Sequence, residues 1–380
     1  MAQINKPKIL QILPQEEYFS STSGGAIATW VKECFYQKDV FNITVCTPKA
    51  EDYFPNFKVL KLPINWGIML GKKLGGKLGH HLQYNLYIVL ASIFARFKSF
   101  DIIHIHNRPT YVFIAKKLNP KAKVILHMHN DHVLSLNKRQ VLNLKKSCDL
   151  IISVSNYIQN NIILHFKKND SNIYDICKVC FNGTNPSKFK VISNIKNENS
   201  LLFIGRLLPE KGIKQLMEAV LLVSEKIPEI KLVIAGNSGF GHMDDTLFVK
   251  SLKQIAKKKT TTFQFLGYIS HEKVPDLFKK TSLYIVPSIW NEPFGIVVLE
   301  GMASKIPMIV SNKGGIPEIT GNTIISLDCN NIELLAEKII YALEHKKEMK
   351  EYAQKAYKRY INNFTWQHVQ NNYITIIKEL

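Results

Sequence analysis

Short apolar runs of strand length alternate with helix-length segments along almost the whole chain, and no other feature limits the fold so strongly. "KILQIL" (Lys8 to Leu13) leads through a Gly-Gly turn into the amphipathic "IATWVKECF". "ITVCTP", "DIIHIH", "KVILHMH" and "DLIISVS" follow, each trailed by a helix-like segment. Apolar strands separated by helical periodicity are the mark of parallel sheets built from βαβ units. The runs lapse over "NPSKFKVISNIKNENS" (Asn185 to Ser200), a polar Lys/Asn-rich stretch that reads as a linker. The alternation then restarts with "LLFIG", "KLVIAG", "FQFLG", "LYIVPS", "PMIVS" and "TIISL". Helices are expected at Gly212 to Lys226, Leu247 to Lys258, Val274 to Lys280, Ile296 to Ser304 and Ile332 to His345. The pattern predicts an α/β chain of two Rossmann-like domains, residues 1–190 and 191–364. The closing stretch "FTWQHVQNNYITIIKEL" sets Trp366, Val369, Tyr373 and Ile376 at helical spacing. That helix needs a partner surface, across the domain junction or on the second domain.

Length agrees with two domains, since 380 residues exceed what one core organises. Apolar content of 46% and charged content of 21% exclude a disordered chain. No run of 18 apolar residues exists and Met1 to Ile9 lacks the core of a secretory signal, so a cytoplasmic protein is expected. Cys177 and Cys180 have a redox-like or metal-like spacing but sit in the apolar "ICKVCFNG", which reads as a strand with buried thiols. The net charge of +20 calls for an anionic partner: nucleotide, nucleic acid or acidic membrane. No RNA-binding motif or DNA-reading module accompanies it, so no specific nucleic acid is expected. From Tyr53 to Phe100 there is no acid, while Lys58, Lys61, Lys72, Lys73, Lys77, Arg96 and Lys98 share the stretch with Trp66, Ile68, Met69 and Leu70. It is either a surface for an anionic bilayer or a solvated basic face beside a core helix.

Three segments carry candidate chemistry. In "STSGGAIATWV", Gly24 and Gly25 precede a helix start, as a tight turn or as a cradle that lets backbone N–H groups approach a phosphate. The spacing is not that of a nicotinamide fingerprint. In "FIGRLLPEKG", Arg206 lies at the carboxyl edge of a strand and Lys211 at the next helix start, where cations and helix N-terminus together favour a diphosphate. In "NEPFGIVVLEGMASKIP", Pro293 suits a first helical turn and Gly295 a close backbone approach, and the amides of Phe294, Gly295, Ile296 and Val297 face a phosphate. Glu292 and Glu300 bracket that phosphate, one suited to sugar hydroxyls and the other to a ribose. His104, His106, His127 and His129 end two strands, but no acid or Cys beyond Asp131 completes a ligand set, so no metal is expected.

"NEPFGIVVLEGMASKIPMIVSNKGGIPEI" resembles the E-x7-E region of retaining glycosyltransferases of family 4, which have the GT-B fold. "GRLLPEKG" is similar to that family's phosphate-binding element, "SGGAIATWV" to its N-terminal Gly-Gly loop, and "FNGTNPSKF" to the end of its first domain. "FTW" resembles the start of its crossing C-terminal helix, and the motifs run in family order from about Lys8 to Leu380. The resemblance implies two Rossmann-like domains whose parallel sheets face a central cleft, with a helix at 365–380 packing back on the first domain. It implies that Glu292 contacts hydroxyls of a donor sugar, that Glu300 accepts from the ribose, and that Arg206 and Lys211 neutralise the diphosphate with amides of Gly25 and of Phe294 to Val298. The backbone after Gly267, at Tyr268 and Ile269, holds the base. A first-domain histidine reaches the donor sugar, His129 by motif position, with His127 as the alternative. The implied reaction is metal-independent transfer with retention from a UDP-linked sugar to a glycan or lipid-linked acceptor, as in lipopolysaccharide-core enzymes. The absence of Asp-x-Asp agrees. A GT-B sugar-nucleotide epimerase and a basic nucleic-acid-binding protein are the competing readings.

Overall fold

The computed structural model describes residues 6–36, 40–63, 76–189, 199–239 and 245–380. They form two compact units, Met1–Asn182 with Val369–Leu380, and Gly183–His368. The linker residues 190–198, and with them the expected boundary at 190/191, lie outside the described residues, as do Trp66, Ile68, Met69, Leu70, Lys72 and Lys73.

The first unit holds a seven-stranded parallel sheet of β1 (Lys8–Ile12), β2 (Asn42–Pro48), β3 (Lys58–Leu62), β4 (Ile102–His106), β5 (Lys123–Met128), β6 (Leu150–Ser153) and β7 (Cys177–Val179). Its order is β3-β2-β1-β4-β5-β6-β7. The chain reverses its direction of winding between β1 and β4, so their carboxyl ends flank the switch point where open sheets of this kind bind ligands. Helix Ala26–Phe35 covers the sheet with Ile27, Trp30, Val31 and Cys34, the i, i+3, i+4, i+7 face of the sequence.

β3 falls inside the acid-free stretch that the sequence offers as a surface for an anionic bilayer or as a solvated basic face beside a core helix. Its "KVLKL" alternates, and its register pairs Lys58 to Leu62 with Thr44 to Pro48 of β2. A 22-residue helix, Gly76–Phe97, follows. Among the described residues no helix is long and apolar enough to cross a membrane. Cys177 and Cys180 are buried free thiols, and burial pushes both up to about 12.

The second unit holds β8 (Ser200–Ile204), β9 (Lys231–Ala235), β10 (Phe263–Gly267), β11 (Leu283–Val286), β12 (Met308–Ser311) and β13 (Ile325–Leu327). All are parallel, in the order β10-β9-β8-β11-β12-β13. Its switch point lies between β8 and β11, so Arg206, just beyond β8, and the loop to Glu292, just beyond β11, emerge side by side.

One helix escaped the sequence pattern, Lys346–Asn363, which follows Ile332–Glu344 after His345 alone with no Gly or Pro to separate them. Its buried face is Met349, Ala353, Ala356 and Tyr360, two of them too small to register as an apolar stripe. The closing helix Trp366–Lys378 enters the first unit at Val369. Gln370 Nε2 donates to the Glu33 carbonyl at 2.7 Å, Asn372 to that of Val179 at 3.0 Å, and Tyr373 is fully enclosed.

Candidate functional site

In the second unit two loops are folded onto each other by glycine. Gly212 has φ +70°, and a Cβ there would lie 1.9 Å from the Pro287 carbonyl oxygen. The Ile289 amide donates to the Glu210 carbonyl at 3.0 Å across the same contact. Lys211 is thereby carried over the loop after β11, where its Nζ reaches Glu292 Oε1 at 2.7 Å and lies 5.0 Å from the centre of the Trp290 ring. Ser288 Oγ donates to the same Oε1 at 2.7 Å. Glu292 is held from behind as well. Gly314, at φ +61°, approaches so closely that a Cβ would lie 2.2 Å from the Glu292 carbonyl oxygen, and the Gly315 amide donates to that oxygen at 2.7 Å. The sequence assigns Lys211 and Glu292 to different parts of a ligand, whereas the structure joins them as an ion pair. Arg206 is exposed on the loop after β8.

The helix beyond Glu292 begins at Ile296, where the apolar pattern expects it, so Pro293 does not occupy its first turn. Gly295 caps it at φ +106°, a conformation that ends the extended segment and leaves Pro293 and Phe294 ahead of the helix. Val298 is also corrected as an anion donor, because its amide bonds the Gly295 carbonyl at 2.9 Å. Ile296 and Val297 open the first turn, where a helix supplies no acceptor of its own.

Glu300 is buried on this helix and accepts from His271 Nε2 at 2.7 Å. His271, which the sequence reading passes over, stands four residues after Gly267 (φ +69°) and so ties Glu300 to the loop bearing Tyr268 and Ile269. The hydrogen bond that His271 donates to Glu300 raises the His271 pKa against the effect of its burial. A raised imidazole pKa means that the charged contact is complete below about pH 6.5 and is lost as pH climbs through the raised value. Glu300→Ala is expected to weaken nucleoside-diphosphate binding by about tenfold, the worth of one charge-assisted hydrogen bond. Calorimetric titration reads this directly, and unchanged affinity removes Glu300 from the ribose.

In the first unit, Asp52 binds the loop before the Gly-Gly turn: it accepts from the hydroxyls of Ser20, Ser21 and Thr22, and from the Ser21 amide at 2.9 Å. Gly24 is forced by close packing, since a Cβ would lie 2.3 Å from the Ser20 carbonyl oxygen. Gly25 caps helix Ala26–Phe35. The amides offered to a phosphate there are met instead by a residue of the chain itself. Glu17 Oε1 accepts from the Ala28 amide at 3.0 Å, and the amides of Gly25 and Ile27 also reach this carboxylate. Burial raises the Glu17 pKa in spite of these donors. The assignment of Gly24 and Gly25 to an anion is corrected to that extent: a carboxylate, not solvent, faces this helix end.

The four histidines come together because β4 and β5 pair His106 with His127 in register. His106 Nδ1 lies 3.0 Å from His129 Nε2, and His106 Nε2 lies 2.9 Å from Gln11 Oε1. His104 Nδ1 lies 2.9 Å from the Tyr373 hydroxyl. Trp30 packs edge-on against His104, His127 and His129, its ring centre 4.6 Å from that of His127, and lies tilted at 59° to His106. His104, His106 and His127 each offer a ring nitrogen within 4.8 Å of the others. His104 is stacked on the other two, however, at 17° to His106 and 16° to His127, and His106 is tilted by 31° to His127. A tetrahedral ion needs in-plane lone pairs that converge on one point about 2.0–2.1 Å away, and stacked rings direct them along separate planes. Burial lowers all four pKa values, to about 3 for His104 and His129. His127 is fully enclosed, whereas His129 at the strand end is half-buried.

Comparison with known proteins agrees with this architecture. Residues 185–359 match the family described as Glycosyl transferases group 1, and residues 36–177 match Glycosyltransferase Family 4. YtcC of Bacillus subtilis (strain 168), whose name carries the word glycosyltransferase, is 28% identical over 306 residues, 75% of this chain and 74% of its own length. Spore coat protein SA of the same strain is 26% identical over 300 residues, 74% of this chain and 78% of that protein. The crystal structure of Anabaena Alr3699/HepE in complex with UDP and glucose matches with a TM-score of 0.75 at 19% identity, over 98% of this chain and 99% of that one. Two parallel-sheet Rossmann-like units, adjoining matches to two glycosyltransferase families and this likeness of fold show that the chain is a glycosyltransferase of the GT-B fold.

Proposed function

We propose that the protein moves a sugar, with retention and without a metal, from a UDP-linked donor to a cell-surface glycan of the lipopolysaccharide-core type. The observation that carries this reading is the pairing of Lys211 with Glu292 beside the amides that open helix Ile296–Ala303. A lysine ammonium has three donors, so Lys211 can hold Glu292 and a diphosphate oxygen together. Both bonds to Glu292 are accepted by Oε1, which orients the carboxylate for sugar hydroxyls. Arg206 joins Lys211 on the diphosphate, Glu300 takes the ribose, and Gly267, Tyr268 and Ile269 border the base. From the first unit, His129 serves the donor sugar.

In the step itself the bond between anomeric carbon and diphosphate oxygen breaks, and the nucleotide leaves with the electron pair. The acceptor oxygen bonds the same carbon on the same face, and its proton passes to the departing phosphate. Charge grows on the leaving oxygens, so fixed cations and amide dipoles aimed there supply most of the stabilisation. Alr3699/HepE has been crystallised in complex with UDP and with UDP-glucose, which supports the donor class. The net charge of +20 suits an anionic acceptor and a peripheral position on the inner face of the cytoplasmic membrane.

The test is to incubate the protein with UDP-sugars and follow free UDP. Release only when an acceptor glycan is present is the expected result. Release without acceptor, accompanied by an altered sugar, identifies an epimerase. No release, with oligonucleotide binding that falls steeply with salt, identifies a nucleic-acid-binding protein.

A further inference from the structure

Behind His129 lies a buried relay of polar side chains that the proposed chemistry does not use. His129 meets His106, His106 meets Gln11 on β1, and the hydroxyl of Tyr373 enters from the closing helix to meet His104. His104, His106, His127 and Gln11 are fully enclosed. We infer that His106 is a positioning residue that fixes the tautomer of His129, with Gln11 as the group that fixes His106. The inference rests on the reading of His129 as the first unit's contact to the donor sugar.

The chemistry follows from counting protons. Gln11 presents Oε1 to His106 Nε2, and a carbonyl oxygen only accepts, so His106 carries its proton on Nε2. A neutral imidazole then has a lone pair on Nδ1. That lone pair faces His129 Nε2 at 3.0 Å, so His129 must donate from Nε2. By elimination His129 keeps a lone pair on Nδ1, the form that accepts a hydrogen bond from a hydroxyl. Burial holds both rings neutral at neutral pH, so tautomer and not charge is what the relay controls. The backbone fixes the position of the same ring. The His129 amide donates to Asn107 Oδ1 at 2.7 Å, and the Asn107 amide to the His127 carbonyl at 2.9 Å, with Asn107 held at φ +55°. Trp30, packed against every ring, prevents rotation that would break the chain of bonds.

The test uses the full chain labelled with 15N-histidine, in which two-bond nitrogen–proton couplings separate the two neutral tautomers. Wild type is expected to show His129 protonated on Nε2. His106→Phe, close to isosteric in the stack, and Gln11→Met, which removes the acceptor, are expected to give mixed tautomers at His129. They are expected to lower kcat about tenfold while the donor KM stays within about twofold. A wild-type His129 protonated on Nδ1, or a tautomer unchanged in folded His106→Phe and Gln11→Met, overturns the inference. Normal transfer by His129→Ala defeats the catalytic reading separately, since the spectra still decide whether the relay sets the tautomer.

Discussion

On lowering the pH from 7 to 5, the first unit is expected to lose stability, by about 2 kcal/mol from His104 and further in the same direction from His106 and His127. The cause is the histidine stack. His104, His106 and His127 are enclosed and held neutral by burial, with pKa values lowered to about 3 for His104 and well below the ordinary value for the other two. In the unfolded chain each titrates near pH 6.5. Below that pH the unfolded state binds protons that the folded state refuses, so stability is complete above about pH 6.5 and falls as acid is added. His104, with its pKa lowered to about 3, contributes about 2 kcal/mol over the interval, and the other two add to the loss. Urea unfolding at a series of pH values, followed by Trp30 fluorescence in a chain whose other tryptophans are replaced, reads the loss. His127→Phe should recover part of it, since neither ring nitrogen of His127 has a hydrogen-bond partner among the described residues. A midpoint that stays level from pH 7 to pH 5 would mean that water or protons reach the stack, and the enclosure described here would be wrong.

The second large effect belongs to Lys211. Lys211→Ala is expected to lower kcat by roughly 10² or more, the scale of losing one preorganised stabiliser of developing charge. The structure adds a consequence that position alone does not give. Among the described residues Glu292, mostly buried, would keep Ser288 as its side-chain partner, so donor KM should rise together with the fall in kcat. Lys211→Arg keeps the charge but not the compact three-donor head, and should recover part of the KM and little of kcat. Turnover of Lys211→Ala within about threefold of wild type in a donor assay would reject the clamp.

The fold was legible in the sequence because strands of a parallel sheet are apolar on both faces and announce themselves as runs. β3 was not, because an edge strand written "KVLKL" among lysines looks like a basic surface. Helix Lys346–Asn363 was not, because alanines fill its buried face. At the site, Arg206, Lys211, Glu292 and Glu300 stood out by charge next to glycine or a helix start. Partnerships were another matter. That Lys211 pairs with Glu292 depends on Gly212 folding one loop over another, and no spacing encodes a contact between residues 81 apart. His271 was hidden by an ordinary polar context, and its link to Glu300 appears only when two loops meet at the sheet edge. Glu17 gave a weak signal, an acid shortly before a glycine turn, which points as readily to solvent as to the helix end it caps.

The glycine contacts around Glu292 also bear on how such a protein can change its substrate. A single methyl group at Gly212 or Gly314 overlaps a carbonyl oxygen, so neither position has room to vary without displacing the lysine and the acid together. Innovation in donor choice is therefore channelled outward, to side chains such as Trp290 and Tyr268 that keep large exposed surfaces beside the frozen frame. Laboratory evolution of new sugar preference should begin from those aromatic borders and leave the two glycines untouched.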